Sequence, residues 1–152
     1  MTMKTSIPFK ILLLVSGLIA IGIGGAILFD PASFFMTYGI ELGNDASLFN
    51  EIRAPGGTLL ALGLLMLAGL FSAEFRFTSI TIAAAVYLTY GLSRLLSIAI
   101  DGWPDGGLVG AAAFELLIGA ASLLALMRYR NTVQRCESRK ANAADMQSRL
   151  AK

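Results

Sequence analysis

The chain has 152 residues, 56% of them hydrophobic and 14% charged, where an ordinary soluble domain carries roughly a quarter charged residues. It is too apolar for a soluble domain and belongs in lipid. With no histidine and a single cysteine, Cys136, internal disulfides are excluded and the usual haem, zinc and copper ligand sets are absent, so no metal or cofactor is expected.

Four apolar runs reach about 20 residues, the length that crosses a hydrocarbon core as a helix. They lie at about Pro8 to Phe29, Pro55 to Phe71, Ser79 to Ile100 and Leu108 to Met127, the second being the shortest. The expected fold is all-α, a four-helix transmembrane bundle over residues 1–127 followed by a basic cytoplasmic tail over 128–152. Lys4 and Lys10 before the apolar core of the first run also suit a secretory signal. However, Gly24-Gly25-Ala26-Ile27-Leu28 offers no good cleavage site, and the run reads as a retained first helix. Within it Ser16, Ala20 and Gly24 form a small-residue stripe that lets helices approach closely. Asp30-Pro31 ends it, because the residue before proline is pushed out of the α region.

Pro31 to Leu42 is apolar and aromatic but too short to cross. Two placements suit it: flat in the interface with Phe34, Phe35 and Tyr38 in an aromatic belt, or re-entrant as a lid over the bundle mouth. Gly43-Asn44-Asp45 is a turn whose Asn44 or Asp45 can cap the next helix. That helix contains Pro55-Gly56-Gly57, where a kink or break is expected. A short loop around Glu74 and Arg76 makes the second and third spans an antiparallel hairpin, and Asp101-Gly-Trp103-Pro104-Asp105-Gly-Gly is a dense turn with Trp103 as interface anchor. Basic residues gather at the amino end, the second loop and the tail, whereas the first and third loops carry Asp30, Glu41, Asp45, Asp101 and Asp105. By the positive-inside rule both termini are cytoplasmic.

The third span carries the chemistry. Tyr87, Arg94 and Asp101 recur every seven residues and share one helix face, with Tyr90 beside them. An arginine inside a bilayer costs about 2.5–3.5 kcal/mol even on insertion scales. Arg94 therefore needs a partner. Counted at 1.5 Å per residue, Arg94 lies roughly 10 Å in from Asp101, and Glu115 lies at a similar depth on the antiparallel fourth span. Asn50, Glu51 and Arg53 come in from the same outer side. The expected constellation joins Glu51, Arg53, Arg94, Asp101 and Glu115. As three acids against two arginines it leaves one negative charge, to be met by a proton or a ligand. A structural network that sets helix register is the competing reading.

These residues carry a resemblance. Asn50-Glu51-x-Arg53-Ala54-x-Gly56-Gly57, Gly91-x-x-Arg94, Asp101-Gly102-x-Pro104 and Glu115 resemble a bacterial family of small membrane proteins, domain of unknown function 4345, over about Gly17 to Met127. The resemblance implies a four-helix fold in a bacterial inner membrane and brings no activity with it. The architecture is also similar to DoxX-like membrane proteins, some of which accompany quinone-linked oxidoreductases.

Three classes of function suit these features. The first is binding of a small amphipathic molecule or lipid, quinone-like molecules included, with Arg53 and Arg94 gripping its head group. The second is an accessory or assembly subunit docked in a larger membrane complex or a homo-oligomer. The third is an enzyme on a lipid-like substrate using Glu51 or Glu115 as acid or base. Lacking histidine, a nucleophile motif and a metal set, the chain leans away from catalysis, and no nucleic-acid module is recognisable.

Overall fold

The structure, a computed structural model, describes residues 7–150. Every regular element among them is a helix: α1 (Ile7–Phe29), α2 (Pro31–Met36), α3 (Ala46–Phe71), α4 (Arg76–Asp101) and α5 (Gly106–Leu150). α1, α3, α4 and the Gly106–Arg135 part of α5 are each long and apolar enough to cross a membrane. The protein is a multi-pass helical membrane bundle, with α2 as the short extra segment. Less than a third of each span is buried inside the chain, and Leu18, Leu64, Leu96, Leu117 and Leu124 all point outward. In water such a surface would drive association; in a bilayer it is solvated by acyl chains.

Two helix pairs build the bundle, α1 with α3 and α4 with α5, and α3 joins them by packing on α4. Small residues set the first pair. Ser16, Ala20 and Gly24 are all buried, and a methyl at Gly24 would stand 2.5 Å from the Leu60 backbone nitrogen. Only glycine lets the backbones approach that closely, which is how helices gain dispersion contact where lipid provides no hydrophobic drive. The central core collects Ala20, Leu59, Met66, Ala83, Tyr87 and Ile118. A second cluster, Phe9, Leu13 and Ile80, closes the end nearer the chain termini, with Tyr129 packed against it.

The connections follow local capping chemistry. Asp45 caps α3, its carboxylate accepting the Ser47 N–H at 2.8 Å. Asp30 ends α1 and also caps α2, accepting from the Ser33 N–H at 3.2 Å. Hydrogen bonds from the side chain and backbone of Ser33 hold the Asp30 carboxyl below the usual range. The segment after α2 stays at the end of the bundle opposite the α3–α4 turn and brings the Tyr38 ring against Gly107 at the start of α5.

Of the kink or break expected near Pro55, the break is absent, since α3 remains helical through that residue. The missing N–H leaves one carbonyl unpaired, but Gly56 is buried against Ile27 and Leu28 of α1, and that packing holds the helix together. α5 continues as one helix from the apolar span through position 128 to Leu150.

Candidate functional site

Gly91 and Gly119 make the site possible. A methyl at Gly91 would lie 2.7 Å from Leu116 Cγ and 3.1 Å from its backbone nitrogen, and one at Gly119 would lie 2.8 Å from the Leu88 backbone nitrogen. α4 and α5 therefore touch with almost nothing between them. Arg94 stands one turn beyond Gly91, and Glu115 precedes Leu116. Antiparallel packing in this register sets them opposite each other, and Arg94 Nε donates to Glu115 Oε2 at 2.9 Å.

The pair is asymmetric. The Glu115 side chain is 11% exposed and that of Arg94 33% exposed. A guanidinium has five N–H donors in a fixed fork, and here only Nε is engaged: the two terminal nitrogens have no protein partner among the described residues. A bidentate pair would have used both sides of the fork. Glu115 thus anchors the guanidinium through Nε, and a third of the Arg94 side chain stays exposed.

Tyr87, two turns further in, is buried, and its hydroxyl donates to the Ser16 carbonyl at 2.7 Å. It ties α4 to α1. Tyr90 is exposed. Asp101 is exposed at the end of α4 and accepts from the Ser97 hydroxyl at 3.0 Å. Tyr90, Arg94, Ser97 and Asp101 recur at helical spacing and form a polar stripe along one flank of α4. Ser97 was readable as a member from its four-residue offset to Asp101, yet it was absent from the expected constellation.

The expected five-group network does not assemble. Arg53 Nε donates instead to the Leu28 carbonyl at 3.1 Å, and its guanidinium sits 5.4 Å from the centre of the Phe49 ring. α1 ends one residue later, so that carbonyl belongs to the helix end that lacks intrahelical donors. Asn50 and Glu51 are exposed, with no side-chain hydrogen bond or ion pair among the described residues. The pairing of helices explains the split: Arg53 lies in the second turn of α3, whose main neighbour is α1, whereas Arg94 and Glu115 belong to the other pair. Equal depth was a correct inference for Arg94 and Glu115, but depth alone does not say which helices touch.

Three further features carried little sequence signal. Ser16, Ser79 and Ser122 are fully buried; the first two donate to backbone carbonyls, and Ser122 Oγ has no partner among the described residues. At the opposite end of the bundle Tyr129 stacks on Phe9 at 6.0 Å and approaches Phe77 at 6.4 Å. Two open clefts lie along α5 beyond its apolar part: one of about 590 Å³ beside Asn131, Arg135 and Arg139, and one of about 340 Å³ beside Phe77, Tyr129 and Arg130. Neither includes Arg94, whose surroundings are an open helix flank. Among the described residues no group of three or more His, Cys, Asp or Glu side chains could hold a metal ion.

No curated protein and no solved structure matches the chain, and a similarity to DoxX-like proteins is not shown. The family described as domain of unknown function (DUF4345) matches residues 8–126, which takes in the four spans, the Arg94–Glu115 pair and the polar stripe. The chain belongs to that family.

Proposed function

We propose that this protein binds one small amphipathic molecule, a lipid or a quinone-like compound, on the outer half of the α4–α5 face in a bacterial inner membrane, with both termini cytoplasmic. One observation carries the reading: Arg94 is held by Glu115 through Nε alone, leaving its terminal nitrogens without a protein partner among the described residues, on a flank that also carries Tyr90 and Ser97. An unengaged donor pair in lipid is costly. A carbonyl, carboxylate or phosphate oxygen on a bilayer-borne molecule satisfies it, and the apolar surfaces beside it suit the molecule's tail. Because Arg94 and Glu115 already neutralise each other, the head group need only offer oxygen acceptors. Approach is from the membrane, consistent with an open flank.

Native mass spectrometry after gentle detergent extraction tests this. Wild type should retain one non-protein adduct per chain, and Arg94→Gln, whose amide can still donate to Glu115, should lose it while still unfolding cooperatively. An adduct-free wild type, or equal retention by the variant, refutes the assignment.

A second reading, an accessory subunit of a larger membrane complex, draws on the α5 extension. It carries exposed Arg128, Arg130, Arg135 and Arg139 on a helix that outruns the apolar span. Stoichiometric co-purification of a second membrane protein, abolished by truncation after Tyr129, would favour it. No catalytic group is assigned.

A further inference from the structure

The cleft beside Phe77 lies at the end of the bundle away from Arg94, and its place in the fold defines its level in the membrane. The turn between α3 and α4 spans residues 72–75, and Phe77 is in the first turn of α4. On α5 the apolar run ends at Met127 and the first charge after it is Arg128. Both helices therefore change from apolar to charged surface at the height of the cleft, where acyl chains give way to head groups. Aromatic residues concentrate at that level. Phe9, Phe77 and Tyr129 form such a cluster here, with ring separations of 6.0 and 6.4 Å.

The lining of the cleft is graded. Phe77, Tyr129 and Val133 make an apolar floor, and Arg130 and Gln134 make its polar rim. Phe77 is 46% exposed to the outside, so a large apolar ring stands open beside a cation. Arg130 has no hydrogen bond or ion pair among the described residues. Its Cα is only roughly 5 Å beyond Met127 along the helix, whereas Arg135 and Arg139 lie roughly 12 and 18 Å beyond it. Of Arg128 and Arg130, the two arginines near phosphate height, Arg130 is the one that lines the cleft. At about 340 Å³ the cleft is at the small end of ligand sites, room for a head group and glycerol rather than a whole lipid.

We propose that this cleft is a site for the head group of an anionic phospholipid in the leaflet on the side of the chain termini. The Arg130 guanidinium takes the phosphate through its planar fork, and the Gln134 amide donates to a second oxygen. Phe77, Tyr129 and Val133 cover the glycerol and the first methylenes. The apolar floor and its position at the acyl boundary favour a lipid over free phosphate, for which an exposed phenylalanine offers nothing. The site is independent of the one at Arg94.

The test uses the full-length protein in neutral detergent, titrated with phosphatidylglycerol or phosphatidylcholine and read by native mass spectrometry. Wild type should bind phosphatidylglycerol at least about fivefold more tightly than phosphatidylcholine. Arg130→Gln should abolish that preference, whereas Arg135→Gln with Arg139→Gln, which removes more charge outside the cleft, should keep it within twofold. Phe77→Ser should weaken both lipids. Equal binding by Arg130→Gln and wild type overturns the site, as does an equal loss in the double variant, which would reduce the effect to diffuse charge. Competition by millimolar inorganic phosphate, undiminished in Phe77→Ser, overturns the lipid as its occupant. Melting curves matched to wild type are required of each variant. If Arg130→Gln does not fold, Arg130→Lys replaces it: loss of the fork should still lower the preference, and an unchanged preference overturns the proposal.

Discussion

Removing both members of the Arg94–Glu115 pair should cost less than the sum of removing each alone. The Nε to Oε2 distance of 2.9 Å puts the charge centres about 4 Å apart, where an effective dielectric near 20 gives about 4 kcal/mol of attraction. Arg94 is 33% exposed at the side chain, so screening reduces this to about 2 kcal/mol of coupling. Arg94→Leu leaves Glu115, only 11% exposed, without its donor, and should destabilise the bundle by about 2–4 kcal/mol, near the lower range for breaking a buried pair. Glu115→Leu should cost less, about 1–2 kcal/mol, because a freed arginine can extend toward the interface. The double variant should recover about 2 kcal/mol relative to the sum of the singles. Reversible unfolding of all four proteins in one detergent gives the cycle. Additive losses, within about 0.5 kcal/mol, would refute the pairing energetics.

Other consequences are as direct. Gly24→Ala should destabilise by about 1–3 kcal/mol, because its methyl would meet α3 backbone, whereas Gly22→Ala, which meets nothing within 4 Å, should be neutral or slightly stabilising; thermal melts compare the two. Tyr87→Phe should lose about 1 kcal/mol with the hydrogen bond to the Ser16 carbonyl, and unfolding in the same detergent reads it. The Asp30 carboxyl, held low by Ser33, keeps the α2 cap at neutral pH and should lose it only as pH falls through that depressed pKa; the Ser33 amide resonance should shift over that acid range and not above it. In a Cys136→Ser background, impermeant thiol reagents added outside should label Asp105→Cys but not Glu74→Cys; the reverse pattern would invert the topology.

Much of the fold was legible because the bilayer constrains sequence strongly. A span must be apolar for about 20 residues, so α1, α4 and the first part of α5 stand out, and a loop such as Asp101–Gly107 is marked by its turn residues. α3 was legible from its start as well as from its apolar half, because the turn at Gly43-Asn44-Asp45 offers a cap and Asp45 takes that place. Pro55 suggested a kink or break, yet the helix runs through it with Gly56 packed on α1. The Arg94–Glu115 pair was readable because two antiparallel helices and one short loop leave little freedom in register. Arg53 was not, since its fate depends on which helix α3 packs against, and composition does not encode that choice. The aromatic cluster of Phe9, Phe77 and Tyr129 joins residues from three distant stretches, a long-range juxtaposition with no local pattern behind it.

The most direct measurement is a high-resolution structure of the wild type extracted with its native lipids into nanodiscs, read at the Arg94 Nη atoms. Binding at this flank predicts continuous non-protein density running from within about 3 Å of those nitrogens along the outer α4–α5 surface, with Glu115 still on Nε. Nη atoms satisfied by ordered water or by a neighbouring side chain, with only disordered acyl chains alongside, would contradict it.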